Sequence, residues 1–240
     1  MVNSDSSSRI HGLPVRSETW LQNRHRVIQH DTIANHILQT LGQPVTKIEP
    51  VHEGYVHIVF RAAVGNRTVY LKMATQGRSM LAEVRALELI AKQHISAPHI
   101  IHYGHVANQV GVSCLILAPL SGYNIVSCPA YRRHSLYEAA GIALRQVHKI
   151  PVDVFGRLSS HRSEGKSWED SLSRQMLSDI AQLNHIGLLK RNEHAALQRV
   201  IDDALTRKLL AVSAPRLLHM DFQSPHIFAD EDGQVGFLDF

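Results

Sequence analysis

The sequence predicts an α+β protein with a strand-rich amino-terminal half and a helix-rich carboxyl-terminal half. Short stretches in which apolar and polar residues alternate dominate residues 51–118, which is typical of antiparallel strands. Apolar residues recur at helical spacing over much of residues 135–209. The segment 118–122, with Pro119 inside it, interrupts both patterns and is expected to connect the two halves.

The composition indicates a globular chain, either one two-lobed unit or two small domains. Its 240 residues are 44% apolar, which is enough for a substantial core. The net charge is +4, and acids and bases are interspersed, so we expect no nucleic-acid partner. No apolar run approaches the roughly 20 residues that cross a bilayer. Residues 1–30 form a polar leader without a signal-peptide core, and a cytoplasmic location without membrane association follows as the default.

The amino-terminal half begins with a helix over residues 31–41, capped by Asp31 and ended by Gly42. Strands are then expected over residues 51–63 and 68–73, joined by a turn at residues 65–66. Alternation in the second strand puts Lys72 on the face away from its apolar neighbours. Residues 80–93 form an amphipathic helix that carries Glu83 in its first turn. A lysine on a central strand and a glutamate on the next helix can then meet.

The remaining elements are a hairpin over residues 106–118 and three helices. A capping box of Ser135 and Glu138 is expected to begin the first helix, and Ser167 with Asp170 the second. The third helix starts at Asn192, and its predicted buried face carries Leu197, Val200, Leu205 and Leu209. Two cysteines make no disulfide framework.

The last two dozen residues hold two acids in a pattern that suits phosphate chemistry. Asp221 lies in a short irregular segment, and an Asp232–Gly233 turn folds the strand that ends at Asp239 back against Ile227. Phosphoryl transfer needs one carboxylate to orient the attacking hydroxyl and another to bind Mg2+ across the phosphate oxygens. One acid could accept a proton while the other holds a metal.

His219-x-Asp221, a further position five residues on, and a hydrophobic-Asp-Phe strand resemble the catalytic core of the aminoglycoside phosphotransferase family, which has a protein-kinase-like fold. The resemblance covers roughly residues 31–240. It implies a smaller antiparallel-sheet N-lobe at residues 31–120 and a mainly helical C-lobe at residues 121–240. Family members continue past this strand with further helices, so the C-lobe is expected to be incomplete.

The same resemblance implies a role for individual residues. Gly54 and Tyr55 resemble the loop that covers the nucleotide's phosphates, Lys72 the lysine that contacts those phosphates, and Glu83 the glutamate that positions the lysine. Residues 116–122 resemble the hinge, where Ala118 and Leu120 would receive the purine of ATP or GTP. The catalytic residues would be Asp221, which orients the hydroxyl, and His219. We expect His219 to brace the catalytic loop by hydrogen bonding, and a proton-shuttle role stays open for it.

The implied metal residues are Asp239 and His226. The family has an Asn where this sequence has His226. Because Mg2+ prefers oxygen ligands, a ring nitrogen should weaken Mg2+ or favour Mn2+, or the ring turns away and leaves water as the ligand.

The implied reaction moves the γ-phosphate of ATP or GTP to a hydroxyl of an aminoglycoside-like antibiotic or a metabolite. Glu164, Glu169 and Asp170 are candidates for an acidic pocket around a cationic acceptor. Two other hypotheses remain open: a nucleotide-binding pseudokinase with little transfer activity, and a metal-binding or interaction protein that uses some of its 17 histidines. The oligomeric state is also open.

Overall fold

A computed structural model describes residues 30–51, 57–74, 79–106, 112–159 and 167–240 of the chain. The predicted leader, apart from its last residue, lies outside the described residues. The same is true of Gly54, Tyr55 and Glu164.

The amino-terminal half is built on an antiparallel five-stranded sheet. Its strands follow the spatial order β1-β2-β3-β5-β4 and are β1 (Val45–Val51), β2 (Ile58–Val64), β3 (Arg67–Met73), β4 (Ile100–His105) and β5 (Ser113–Leu117). The predicted turn at Gly65 joins β2 to β3 with a φ of 56°, a conformation that glycine adopts without strain. Two strand predictions were wrong: β1 was not predicted, and the second hairpin begins at Ile100 instead of residue 106.

Each face of this sheet is covered by one helix. Helix α1 (His30–Leu41) buries Ile33 and Ile37 against Phe60 and Leu71, and it ends as predicted at Gly42, whose φ is 68°. Helix α2 (Leu81–Ala91) covers the opposite face. The alternation within β3 is therefore confirmed, because Val69, Leu71 and Met73 all belong to the fully buried cluster beneath α1.

A second, three-stranded sheet follows the connector. It consists of β6 (Tyr123–Asn124), β7 (Ile227–Ala229) and β8 (Val235–Phe237), and β6 had no signal in the sequence. Gly122 has a φ of 94°, and an added Cβ would lie 2.2 Å from the carbonyl oxygen of Ala229. A glycine is therefore required where the connector passes β7. The predicted hairpin between β7 and β8 is confirmed.

The carboxyl-terminal helices are α3 (Ala130–Val147), α4 (Trp168–His185) and α5 (Arg191–Thr206). The start predicted for α3 was wrong, because the helix begins directly after Pro129, whose φ of −56° suits a helix start. Ser135 lies inside α3 and donates to the carbonyl of Arg132. The start of α4 is confirmed, since the Ser167 hydroxyl accepts a hydrogen bond from the Asp170 amide at 3.1 Å.

The buried face predicted for α5 was also wrong. Val200 is 63% exposed and Leu209 lies beyond the helix at 60%, whereas Ile201 is buried. Helix α5 packs against α4, and helical periodicity did not identify Ile201 as the residue that it buries. Among the described helices, none is long and apolar enough to cross a membrane.

Candidate active site

The ammonium group of Lys72 lies between two carboxylates. Its Nζ atom is 2.7 Å from Oε1 of Glu83 and 2.6 Å from Oδ1 of Asp239. Lys72 and Glu83 are each only 6% exposed, whereas the Asp239 side chain is 44% exposed. A strand, a helix and the carboxyl-terminal segment thus meet at one buried cation, with Asp239 on its open side.

Local folding explains why Glu83 reaches Lys72. Met80, Val84 and Leu87 recur on one face of α2 and are buried against the sheet, which turns Glu83 in the first turn toward Lys72. Glu88, which lies farther along the same helix, is exposed. The sequence prediction that Glu83 and Lys72 meet agrees with this contact.

Electrostatics keep Lys72 charged. Burial alone would lower the pKa of Lys72, but Glu83 and Asp239 outweigh burial and raise that pKa above its usual value. Burial raises the pKa of Glu83, and the attraction of Lys72 offsets only part of that effect. Burial also opposes ionisation of Asp239, yet Lys72, with smaller contributions from His226 and His57, holds the pKa of Asp239 below its usual range. At neutral pH the cluster therefore contains a cationic Lys72 and an anionic Asp239.

Asp221 lies in a loop whose backbone is fixed from two sides. Its amide donates to Nδ1 of His219 at 3.3 Å, and its carbonyl oxygen lies 2.9 Å from Nδ1 of His226. The Gln223 side-chain amide donates from Nε2 to Oδ1 of Asp221 at 3.0 Å. The Asp221 side chain is 60% exposed. The carboxylate is thus oriented by its neighbours while one oxygen stays accessible to a ligand.

The His219 ring is buried within an aromatic cluster. Ring centroids of Phe222 and Phe237 lie 5.9 Å away, and that of Phe240 lies 4.4 Å away. Burial lowers the pKa of His219, and the carbonyl of Leu238 offsets this only in part. Because Nδ1 accepts the Asp221 amide, the proton of the neutral ring is on Nε2, whose contact with the Leu238 carbonyl falls short of a well-formed hydrogen bond. This geometry suits a residue that braces the loop.

Asp239 adopts a left-handed backbone conformation, with a φ of 58°. Such a conformation is unfavourable for a non-glycine residue and persists where the surroundings impose it. The segment before it is held by hydrogen bonds from the Phe237 amide to the Ser96 carbonyl (3.0 Å) and from the Leu238 amide to the His226 carbonyl (2.9 Å). These bonds present the Asp239 carboxylate to both Lys72 and His226.

The pair Asp239 and His226 has the chemistry of a partial metal site. Nε2 of His226 lies 3.5 Å from Oδ2 of Asp239. Within the described residues, no group of three or more His, Cys, Asp or Glu side chains could hold a metal ion by itself. Two protein ligands fit an ion whose other ligands are phosphate oxygens and water, as is usual for Mg2+ in nucleotide sites.

The connector presents backbone groups at the predicted purine position. The Ala118 amide is already used, since it donates to the His99 carbonyl at 2.9 Å. The Ala118 carbonyl and the Leu120 amide have no hydrogen-bond partner among the described residues, and Pro119 has no amide hydrogen. One acceptor and one donor, two residues apart, therefore remain for a ligand.

Three of the predicted residues lie outside the described part of the chain, and a fourth makes its contacts elsewhere. Gly54 and Tyr55 lie outside the described residues, as does Glu164. Arg174 donates from Nε to Oδ1 of Asp170 at 2.9 Å. The Asp170 carboxylate therefore pairs with a residue of its own helix, α4.

Sequence reasoning missed two residues that belong to the site. Gln223 orients the Asp221 carboxylate, and the charge of His57 acts on Asp239. Neither follows from periodicity, although both lie beside residues that the sequence singled out.

Fold and site together define a kinase-like protein with a small antiparallel sheet and a mainly helical second half. The sequence pattern of the phosphotransferase enzyme family matches residues 47–240. The chain belongs to this family and is a small-molecule kinase, as its motifs predicted. No curated protein matches the sequence.

Solved structures show the same fold at low sequence identity. A thermostable mutant of aminoglycoside phosphotransferase APH(4)-Ia, in complex with ADP and hygromycin B, is 14% identical with a TM-score of 0.67 over 87% of this chain and 70% of its own. A proposed fructosamine-3-kinase from Thermobifida fusca is 14% identical with a TM-score of 0.66, over 88% of this chain and 73% of its own. Spectinomycin phosphotransferase APH(9)-Ia, in complex with ADP and spectinomycin, is 13% identical with a TM-score of 0.54, over 88% of this chain and 68% of its own. The predicted kinase-like α+β fold is confirmed.

Proposed function

We propose that this enzyme transfers the γ-phosphate of ATP or GTP to a hydroxyl group of a small molecule. The observation that carries the proposal is the buried Lys72 ammonium, held at 2.7 Å by Glu83 and at 2.6 Å by Asp239 on its open side. A buried cation next to an accessible carboxylate suits a triphosphate bound together with a divalent metal ion.

In this proposal Lys72 binds phosphate oxygens of the nucleotide. Glu83 positions Lys72, because its carboxylate and the Lys72 ammonium are both buried and the ammonium cannot leave without breaking the pair. When the nucleotide binds, the Lys72 contact to Asp239 is the one that can exchange for a phosphate oxygen, since Asp239 is the more exposed partner.

Asp221 orients the acceptor hydroxyl and takes its proton. The hydroxyl oxygen forms a bond to the γ-phosphorus while the bond from that phosphorus to the β,γ-bridging oxygen breaks, and ADP or GDP leaves. The hydroxyl proton passes to the Asp221 carboxylate. Gln223 fixes one oxygen of that carboxylate at 3.0 Å, and His219 fixes the loop backbone, so the other oxygen is aimed before the acceptor arrives.

Asp239 and His226 are proposed to hold the divalent metal ion, Mg2+ in the simplest case. The ion would supply positive charge across the β- and γ-phosphate oxygens. Asp239 enters this role already ionised, because Lys72 holds its pKa low.

The nucleotide base is proposed to lie at the connector between an N-lobe of residues 31–120 and a C-lobe of residues 121–240. The Ala118 carbonyl and the Leu120 amide would receive a purine edge, and Gly54 and Tyr55 would lie over the phosphates. A backbone acceptor and a backbone donor can form hydrogen bonds with either adenine or guanine, so both ATP and GTP stay candidates for the co-substrate.

The acceptor is proposed to be an aminoglycoside-like antibiotic or a hydroxyl-bearing metabolite. Structural neighbours bound to hygromycin B and spectinomycin support this class, as does the likeness to a proposed fructosamine-3-kinase.

An acceptor panel tests the transfer itself. Purified enzyme is incubated with ATP or GTP and single hydroxyl compounds, and nucleoside diphosphate release is followed alongside 31P NMR of the product. Acceptor-dependent release that Asp221→Asn slows by about 10²–10⁴-fold, with nucleotide affinity retained, is the expected result. Nucleotide binding without acceptor-dependent release from any antibiotic, sugar or amino alcohol would contradict the proposal.

A further inference from the structure

The His226 ring is held in one tautomer. Its Nδ1 atom lies 2.9 Å from the backbone carbonyl oxygen of Asp221, and the side chain is only 16% exposed. A carbonyl oxygen can only accept a hydrogen bond, so Nδ1 must carry the hydrogen. In the neutral ring the lone pair is then on Nε2. A histidine that donates one ring N–H to a backbone carbonyl while the other nitrogen points outward is the usual arrangement of a metal-binding imidazole.

The lone pair of Nε2 faces a carboxylate. Oδ2 of Asp239 lies 3.5 Å from Nε2, too far for a good hydrogen bond and with no hydrogen between the atoms in this tautomer. The Lys72 ammonium already balances the Asp239 carboxylate at Oδ1, and a cation bound between Oδ2 and the neutral Nε2 would interact with both of these atoms. Ligands at about 2.1 Å from one ion, at angles of about 90–109°, lie about 3.0–3.4 Å apart, so the observed separation needs only a small adjustment to hold an ion.

The other oxygen of Asp239 is already used. Oδ1 lies 2.6 Å from Lys72 Nζ, which leaves Oδ2 as the oxygen on the His226 side. The protein therefore offers one carboxylate oxygen and one imidazole nitrogen. Mg2+ prefers an all-oxygen shell, whereas first-row transition ions accept imidazole readily.

We propose that His226 makes the metal–nucleotide site of this enzyme favour a first-row transition ion, tested here as Mn2+, over Mg2+. The inference rests on the proposed nucleotide-binding function and goes beyond it, because it assigns the choice of metal to one side chain. The Asp221 carbonyl contributes by orienting the ring, so the loop that carries the proposed base also shapes the metal site.

The test is direct metal binding with non-hydrolysable ATP and GTP analogues. Free Mn2+ is measured by EPR with and without competing Mg2+, for wild type, His226→Asn and a control, His148→Asn, at an exposed position at the end of α3. Pulsed EPR of the Mn2+ complex then detects whether a 14N nucleus is directly bonded to the ion.

The expected result is a Mn2+-over-Mg2+ preference that falls by about tenfold or more in His226→Asn and is unchanged in His148→Asn. A directly bonded 14N signal should be present in wild type and lost in His226→Asn. An unchanged preference without a bonded 14N signal, while metal and nucleotide still bind, would overturn this inference alone. Absence of any metal-dependent nucleotide binding in folded protein would instead overturn the proposed function.

Discussion

Replacing Lys72 with methionine should destabilise the fold, because Glu83 would remain buried without its cation. The Lys72–Glu83 pair, 2.7 Å apart, has an attraction of roughly 6 kcal/mol at an effective dielectric constant near 20. Burial of both charges offsets part of this attraction, and removing one partner of a buried pair typically costs about 3–5 kcal/mol. Since Glu83 can take up a proton instead, we expect a loss of about 3 kcal/mol at pH 7. In a chain of this size that corresponds to a fall in Tm of about 6–12 °C.

The loss should depend on pH and on Glu83 itself. Burial already raises the pKa of Glu83, and without Lys72 that pKa rises further. A carboxyl group with a raised pKa binds more protons in the folded state, so stability falls as pH rises through the shifted range. The deficit of Lys72→Met should therefore be smaller at pH 5 than at pH 7. In the double variant Lys72→Met/Glu83→Gln, most of the lost stability should return.

Urea unfolding of wild type, Lys72→Met, Glu83→Gln and the double variant, at pH 5 and pH 7, measures these differences in the free energy of unfolding. Lys47→Met is the matched control: Lys47 pairs with Glu49 at 2.6 Å, but its side chain is 67% exposed. The control should change stability by less than about 1 kcal/mol. If Lys72→Met proved as stable as the control, or the double variant no more stable than Lys72→Met, Lys72 and Glu83 would not be a buried pair that depends on both charges.

Three further predictions concern other parts of the molecule. Asp221→Asn should reduce kcat by about 10²–10⁴-fold with nucleotide affinity unchanged, as steady-state kinetics and calorimetry can check; an unchanged kcat would exclude Asp221 as the base. Gly122→Ala should lower Tm, because its Cβ would lie 2.2 Å from the Ala229 carbonyl oxygen. Gly141→Ala, in an open position of α3, should instead raise stability by about 0.5–1 kcal/mol. Equal effects of the two substitutions on Tm would contradict the close approach of Gly122 to Ala229. Burial lowers the pKa of His36, so below pH 6.5 the unfolded chain binds a proton more readily than the folded chain does. The free energy of unfolding should therefore decrease as the pH decreases below 6.5, by up to about 1.4 kcal/mol per pH unit. His36→Gln should weaken this pH dependence in urea titrations, and an unaltered dependence would count against it.

The parts of the site that lie on regular elements could be predicted from the sequence. Alternation within β3 and helical spacing in α2 predicted the contact between Lys72 and Glu83. Both patterns are short-range, and the buried face of each element determines where these side chains point. The turn at Gly233 likewise fixed the hairpin that ends near Asp239. Sequence periodicity was therefore sufficient to predict the placement of side chains on elements that pack against a single core.

Contacts that depend on loops could not be predicted in this way. The left-handed conformation of Asp239 and its approach to Lys72 across 167 positions of sequence arise from tertiary packing. The orientation of His226 depends on a single backbone carbonyl, which leaves no trace in side-chain identity. The start of α3 was missed because Pro129 sets it, and the packed face of α5 was missed because its buried residue, Ile201, lies outside the set that periodicity indicated.

Calorimetric titration with ATP and with GTP, with and without divalent metal, shows whether Lys72, Asp239 and His226 form a metal–nucleotide site. Wild type and Asp239→Ala are compared, with circular dichroism to show that both are folded. We expect metal-dependent binding of at least one nucleotide to wild type and loss of the metal-dependent part in the variant. Metal-independent binding that is the same in both proteins, or no binding to folded wild type, would contradict it.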